Sequence, residues 1–429
     1  MDFIFSDLHI HSRFSRATSK YITFPELLRW SKLKGINLLG TGDIIHPKWL
    51  QEANENLEYD DSTGFYKMKP EIEDKINHQL PTSVKNIDVS FIPTVETSHI
   101  YKQDDKLRRV HLVIILPTLE DAKKLSDKMA TFSNISADGR PIFGMNVRDF
   151  TELVLEINDK ALIIPAHIWT PHFSVFGSKS GFDSLQEAFK DMSQYIYALE
   201  TGLSSDPEMN RLVKELDKYT LVSNSDSHSL PRIGREANIH TELKNYDQLI
   251  HTLKTGKNLY GTIEYFPEEG KYHYDGHRNC NISLHPQETQ KINKICPKCK
   301  KPLTVGVLSR VYELAKNNTQ PNTQLLNKHK SVHAIPLDDI LASILGTSRT
   351  SKKVTTKLFD TISNLGPELT ILSFMPLKEI SKYDPVLANA IGQMRKGEIR
   401  IIPGYDGEYG IVQIDKKLLE KQTNQMQLL

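Results

Sequence analysis

The 429-residue sequence has no apolar run approaching the roughly 18 residues that a membrane-spanning helix needs, so no span is expected. Its start, Met1-Asp2-Phe3-Ile4-Phe5-Ser6-Asp7, lacks the basic segment and long apolar stretch of a secretory signal, so no cleaved leader is expected either. Charge of one sign is not in excess: 54 basic and 53 acidic residues leave a net charge of +1. Bulk electrostatics therefore neither demands nor excludes a nucleic-acid partner, and any such affinity must come from local patches. Cysteine is scarce. Cys280, Cys296 and Cys299 are the only three, poor arithmetic for disulfides and good arithmetic for a metal site in a reducing compartment. What remains, 38% hydrophobic and 25% charged residues, is ordinary globular composition, long enough for about two to three domains with their own cores.

From residue 1 to about 265, short β-branched runs end in polar residues and give way to helix-like stretches. Seven such runs are present: Phe3–His11, Ile36–Asp43, Val89–Glu96, Val110–Leu116, Ala161–His167, Ile196–Thr201 and Tyr219–His228. Amphipathic segments such as Pro25–Lys34, Leu119–Phe132 and Phe182–Met192 lie between them. The alternation predicts parallel pairing in an α/β fold, and seven strands suit a barrel better than an open sheet. A small module is expected over 266–316 and an exposed linker over 317–331. The region 332–429 is expected to be mainly helical, with helices at Leu337–Leu345, Lys352–Asn364 and Val386–Lys396 and a hairpin of Ile399–Ile402 with Ile411–Ile414.

The ends of the seven runs carry the chemistry. His9 and His11 alternate along one strand, so both imidazoles project from the same face. Asp226-Ser227-His228 repeats that spacing on another run, and Asp43, His46, Glu96, His111 and His167 bring the set to nine potential N/O ligands. Glu200 also ends a run. The rim formed by the C-terminal ends of strands is where active sites of (β/α) barrels sit. Imidazole and carboxylate without thiolate suits Zn, Mn or Fe, and so many ligands imply two or three ions. Clustered ions favour phosphoester hydrolysis.

Asp7-Leu8-His9-Ile10-His11-Ser12, Gly42-Asp43, Glu96, His111, Pro165-Ala166-His167 and Asn224-Ser225-Asp226-Ser227-His228 resemble the successive motifs of the PHP superfamily. That resemblance covers roughly 1–265 and implies a distorted (β/α)7 barrel holding two or three divalent ions, Zn, Mn or Mg, on His9, His11, Asp43, Glu96, His111, His167, Asp226 and His228. Two departures are visible. Ser15-Arg16-Ala17 stands where many members carry an acid, and Asp43-Ile44-Ile45-His46 replaces an adjacent Asp-His. One metal position is therefore expected to be weaker or absent. Further segments, Ile168-Trp169-Thr170-Pro171, Phe176 to Asp183, Glu200 to Pro207, Gly270 to Arg278 and the Pro403–Gly410 turn, are similar to the endonuclease Q family over nearly the whole chain. This implies a DNA repair endonuclease that cuts 5′ to uracil, hypoxanthine, xanthine or an abasic site. Asp226 and His228 are expected to be catalytic, joined by Arg16, whose replacement of an acid would put a cation beside the scissile phosphate; a cytoplasmic, nucleoid-associated setting is expected.

His277-x2-Cys280 followed by Cys296-Pro297-Lys298-Cys299 has the shape of two knuckles closing one tetrahedral, structural zinc site, with His285 as a competing ligand. For DNA, the Trp169–Phe182 loop supplies Trp169, Phe176 and Lys179 to wall a base pocket or wedge the duplex. Arg13, Lys20 and Arg232 are placed to clamp phosphates, and Arg349, in the Gly346–Lys353 stretch, offers a non-specific phosphate contact. The ending Gln425-Met426-Gln427-Leu428-Leu429 resembles the short peptide by which bacterial repair proteins dock on the β sliding clamp. Two other readings stay open at this point: a histidinol-phosphatase-like small-molecule phosphatase, and a non-catalytic zinc-dependent DNA-binding protein.

Overall fold

The computed structural model describes residues 3–414, so the clamp-like peptide lies outside the described residues. Each of the seven runs holds a strand: Ile4–Asp7, Leu38–Gly40, Ser90–Ile92 continuing past Pro93 into Thr94–Gln103, Lys106–Ile115, Leu162–Pro165, Ala198–Glu200 and Thr220–Val222. Leu38–Gly40 and Leu162–Pro165 are buried at every position, which is why they read as continuous rather than alternating apolar runs. The helix Phe24–Lys34 shows how the connecting segments are delimited. Thr23 caps it by accepting from the Glu26 N–H, a proline opens it, and Gly35 ends it in the left-handed region. Its buried Phe24 then stacks on Trp49 at 4.2 Å between ring centroids.

Pairing departs from the all-parallel expectation. Ile4–Asp7, Leu38–Gly40 and Ser90–Ile92 are successive parallel neighbours, as are Ala198–Glu200 and Thr220–Val222. Thr94–Gln103 and Lys106–Ile115, however, form an antiparallel hairpin, and Leu162–Pro165 joins it antiparallel. The cause is the two-residue turn Asp104-Asp105, both left-handed at φ 52° and 57°, a connection that two-residue hairpins use and parallel strands cannot. The ladders form an eight-stranded mixed sheet, a four-stranded sheet and separate two-stranded pairs. Single links join them at the functional end: the Ile10–Ser227 bridge and the Ile168 N–H to the Glu200 carbonyl at 3.1 Å.

The segment 317–331, expected as a linker, is structured. Asn322 caps a helix, Thr323–Lys328, and Lys330–His333 adds a parallel edge strand to Leu259–Glu264. A polar strand is tolerated at that edge because only one side is paired, which also hides it from a reading that looks for apolar runs. Beyond it the helices Leu337–Leu345, Lys352–Leu365 and Pro385–Lys396 and the hairpin Ile399–Ile402 with Ile411–Ile414 match the expected elements, with Glu368–Ser373 and Leu377–Tyr383 added. No helix among the described residues is long and apolar enough to cross a membrane.

The helical region is welded to the strand-bearing part. Leu337, Ile340, Leu369 and Ile371 belong to the same buried cluster as Phe5, Leu28 and Ile36. Lys34 Nζ meets Glu368 Oε2 at 2.7 Å with side chains 3% and 4% exposed. Arg232, expected at phosphates, is instead committed inward, to Asp338 at 2.6 Å and Asp339 at 2.9 Å; two carboxylates at the start of one helix hold it there. Removing one partner of a buried pair strands the other's charge. Glu368→Ala should therefore lose about 3–5 kcal/mol in urea unfolding, whereas the apolar double replacement Lys34→Met with Glu368→Leu should recover most of that loss.

Candidate metal centres

Glu96 sits at the start of the long hairpin with its carboxylate out of solvent. Oε1 lies 2.6 Å from His111 Nδ1 and 3.0 Å from His167 Nε2. Oε2 faces His11 Nε2 at 3.3 Å, His9 Nε2 at 3.7 Å and the Arg140 guanidinium at 3.0 Å. Asp226 closes the group, its Oδ1 3.0 Å from His11 Nε2 and 3.7 Å from His9 Nε2. Two sets of donor atoms result: His9, His11, Glu96 and Asp226, and Glu96, His111 and His167, sharing Glu96, with the atoms of each set within 4.8 Å of one another.

The backs of the rings explain their orientation. His9 Nδ1 contacts Glu200 Oε1 at 3.0 Å and His11 Nδ1 contacts Asp43 Oδ1 at 3.0 Å, so each Nδ1–H donates to a carboxylate and each Nε2 is turned inward with its lone pair. His9 Nε2, His11 Nε2 and Asp226 Oδ1 are buried yet have no hydrogen-bond partner. Three inward orphans facing one point fit a cation. Burial alone would lower the pKa of His9 and of His11, but Glu200 and Glu96 in the first case, and Asp43, Asp226 and Glu96 in the second, raise both well above the ordinary imidazole value. Burial pulls His111 down to about 4 despite Glu96, so that ring is a neutral donor. A cation would displace the protons from His9 and His11.

Local backbone strain marks the same strand ends. Asp43, His167 and Asp226 are non-glycine residues in the left-handed region, at φ 46°, 29° and 45°, which costs energy and needs a surrounding structure to enforce it. Gly202 is part of that enforcement: at φ 64° a Cβ there would fall 2.4 Å from the His167 Cβ. Asp7 does the same for Asp226, accepting from the Ser225 and Gly234 N–H groups at 3.0 and 2.9 Å.

Several expected residues take other places. Asp43 is in neither donor set; besides His11 it accepts from the Ser12 N–H at 2.6 Å and the Ser15 hydroxyl at 2.9 Å. Ser15, in the stretch where the acid was expected, thus hydrogen-bonds Asp43 and adds no carboxylate to the group. His46 Nε2 reaches the Ser136 carbonyl at 3.3 Å, away from the group. His228 stands at the rim, its ring tilted against that of His11 at 4.5 Å between centroids, with its Nδ1 2.9 Å from the Asp226 carbonyl. Arg16, expected beside the reacting phosphate, has its side chain 85% exposed and pairs with Asp138 at 3.3 Å. The cation that reaches the carboxylates is Arg140, carried in by a loop whose Gly139 would clash with Asp43 if it had a Cβ. Sequence reading missed Arg140 because nothing near it resembles a motif; Glu200 was legible as an acid at the end of a run, while Asp7 was visible only as part of the motif around His9.

The aromatic loop is also rearranged. Trp169 and Phe176 are 1% and 2% exposed, with the Trp169 indole N–H donating to Asn210 Oδ1 at 2.8 Å, so neither presents a face to a base. Phe173, half-buried and 4.8 Å from His111, holds the position by the candidate centre instead. Lys179, Lys20 and Arg349 are exposed, whereas Arg13 is tied to Glu52 at 2.6 Å.

A second cluster lies in the small module, where His277, Cys280, Cys296 and Cys299 bring one donor atom each within 4.8 Å of one another. Cys299 Sγ and His277 Nδ1 are 3.6 Å apart, and the backbone N–H groups of Cys299 and Lys298 hold the Cys296 thiol below its usual pKa. That thiol-over-amide turn suits a structural zinc ion with no open position. His285 is excluded from it; its Nδ1 caps a helix by accepting from Gln287.

Residues 336–398 match the family model of the MJ0043 C-terminal domain. The chain is similar to protein MJ0043 of Methanocaldococcus jannaschii, 30% identical over 281 residues, 62% of this chain and 34% of that one. It therefore spans about a third of that relative's length. Similarity to protein YqxK of Bacillus subtilis runs over 424 residues at 29% identity, 95% of this chain and 98% of the other. Among solved structures, the lesion-specific endonuclease PfuEndoQ from Pyrococcus furiosus superposes with a TM-score of 0.82 at 29% identity, over 100% of this chain and 99% of that one. Endonuclease Q bound to a 27-mer duplex with an abasic lesion at its active site superposes with a TM-score of 0.80 at 30% identity, over 98% of each chain.

The module cluster gives a direct test. Cys296→Ser should release one zinc ion per chain in elemental analysis and make the 266–316 segment the first site of proteolytic cleavage, because a bound structural ion contributes folding free energy that so small a module lacks. Unchanged zinc content in a stable variant would refute the assignment.

Proposed function

Because this chain belongs to the endonuclease Q family, we propose that it is a metal-dependent DNA repair endonuclease that hydrolyses the phosphodiester bond 5′ to deaminated bases (uracil, hypoxanthine, xanthine) or abasic sites. One observation carries the metal-dependent half of this reading: the inward-facing orphans His9 Nε2, His11 Nε2 and Asp226 Oδ1 around the shared Glu96 carboxylate. The lesion-directed half rests on full-length similarity to an enzyme solved with an abasic lesion at its active site. The same similarity disfavours a small-molecule phosphatase, which leaves the zinc cluster and the helical region without a role. Seven strand-bearing runs that each bring an acid or histidine to one cluster favour reading the fold as the distorted (β/α)7 barrel of the PHP kind.

His9, His11, Glu96 and Asp226 would hold one divalent ion, and Glu96, His111 and His167 a second, Zn, Mn or Mg. When bound, such ions polarise the phosphoryl oxygen and lower the pKa of water. The chain's own residues do the rest. Glu200 and Asp43 fix the tautomers of His9 and His11, keeping Nε2 free of a proton. Arg140, 30% exposed above Glu96, binds a phosphate oxygen from the solvent side, the role first expected of Arg16. His228 donates its Nδ1–H to the Asp226 carbonyl, which leaves the Nε2 lone pair to take a proton from the reacting water and then hand it to the departing 3′-oxygen. Burial lowers the pKa of His228, so it acts as a neutral base. Lys179, Lys20 and Arg349 contact the backbone of the duplex away from the cut.

Asp226→Ala should abolish incision of a labelled duplex carrying one uracil or abasic site in Mg²⁺ or Mn²⁺ while leaving binding nearly intact; more than a few per cent residual activity would sink the assignment. Arg140→Ala should cut the rate by about 10²–10³, whereas Arg16→Ala should stay within about threefold of wild type; equal losses in both would return Arg16 to the site.

A further inference from the structure

Away from both centres, three adjacent strands carry a row of titratable groups on one face. Glu264 is in register with His333 across the parallel pair of Leu259–Glu264 and Lys330–His333. Ala237 is in register with Ile263 in the antiparallel pair alongside, so the next step sets Glu236 opposite Glu264. Residues in register on neighbouring strands project to the same face. That face looks onto the turn bearing Asp206 and Glu208. His333 Nε2 lies 3.1 Å from Asp206 Oδ2, and the Ser331 hydroxyl, two residues earlier and so on the same side, donates to Glu208 Oε1 at 2.5 Å.

Charge and hydrogen bonding are unbalanced there. Four carboxylates converge, and among the described residues His333 is their one ion-pair partner, through Asp206. Glu264 and Glu236 are fully buried. Glu264 Oε2 accepts from the Thr201 and Ser223 hydroxyls at 3.1 and 3.3 Å, and Glu236 Oε1 accepts from the Tyr265 N–H at 3.2 Å. Their other oxygens, Glu264 Oε1 and Glu236 Oε2, have no partner, and neither has Glu208 Oε2. A buried carboxylate left half-satisfied is costly, and a row of them demands protons or a cation. Asp206, Glu208 and His333 already bring one donor atom each within 4.8 Å of one another.

We propose that this cluster is a further divalent-cation site, with Asp206, Glu208 and His333 as ligands and the buried Glu264 carboxylate beside them supplying further negative charge. An N/O set without thiolate suits Mn²⁺ or Zn²⁺. A cation here fastens the turn at Asp206 to the edge strand Lys330–His333, from which the chain enters the helix Leu337–Leu345, so the site locks the helical region to the strands. The competing arrangement is protonation: burial pushes Glu236 up to about 8 and Glu264 well above the carboxylate range.

The two are separated with the full-length protein and Mn²⁺ as the probe. Anomalous diffraction from wild-type crystals soaked in MnCl₂ should show a peak bounded by Asp206, Glu208 and His333. A map without a peak there, whatever binds elsewhere, overturns the proposal. In solution, Asp206→Asn with Glu208→Gln should retain one Mn²⁺ fewer per chain than wild type in equilibrium dialysis, with unchanged zinc content and far-ultraviolet circular dichroism. Equal Mn²⁺ counts in two folded proteins also overturn it, and should the double variant not fold, the wild-type diffraction decides.

Discussion

One buried carboxylate, Glu96, sets the terms for everything around it. At about 4 Å a single charge pair yields about 4 kcal/mol in a medium of effective dielectric near 20, while taking each ion out of water costs several kcal/mol. One partner cannot hold such a group; Glu96 has His9, His11, His111, His167 and Arg140 around its two oxygens. Each of those must in turn be held, which is why Glu200 stands behind His9 and Asp43 behind His11. The carboxylates outnumber what neutral imidazoles can balance. The chain therefore meets the demand by protonating His9 and His11 or by taking up cations at the same point, and the inward Nε2 atoms make the second arrangement the one the geometry is built for.

Holding six side chains, His9, His11, Glu96, His111, His167 and Asp226, from five strand-bearing runs at that point requires the backbone to bend sharply at the strand ends. Asp43, His167 and Asp226 do so in the left-handed region, and each is over-determined by neighbours: Gly139 and Ser12 against Asp43, Gly202 beneath His167, Asp7 under Asp226. Strain and rigidity are two sides of one device, because a conformation that costs energy persists only where packing leaves no alternative.

How much of this could be read beforehand follows from the physics each feature depends on. The seven strands were legible because burial on both faces leaves an unbroken apolar signature, and the helices at Leu337–Leu345 and Pro385–Lys396 because their caps and periodicity are local. Strand direction was not legible, since it turned on two aspartates at 104 and 105 adopting positive φ, and the edge strand at Lys330–His333 was missed because half-exposed edges carry no apolar pattern. In the site, the histidines and acids at strand ends were visible as spacing. Their division into ligands and supports was not: Asp43 and Glu96 look alike in sequence, and only the path of the chain decides that one faces the ring nitrogens from behind and the other from within. Trp169 and Phe176 failed as base contacts for the opposite reason, because a large aromatic in a loop is as readily a packing residue as a binding one, and here the Asn210 acceptor and the neighbouring core claim Trp169.

The near-neutral charge of the chain, which left a polyanionic partner undecided, gains a physical meaning from this arrangement. The deepest part of the site is acidic, with Glu96, Glu200, Asp43 and Asp226 all converging there, and would by itself repel a phosphodiester. Cations bound at that point invert the local sign. The partly exposed side chain that meets it from the solvent side, Arg140, is already positive. Attraction for a phosphate backbone is therefore a matter of local patches and not of the sum over the sequence, because with a screening length of about 8 Å at physiological salt only a local arrangement of charge is felt. A basic surface overall would hold a duplex at any point along it, whereas a charge reversal confined to the carboxylate cluster would act on the one phosphate brought to it.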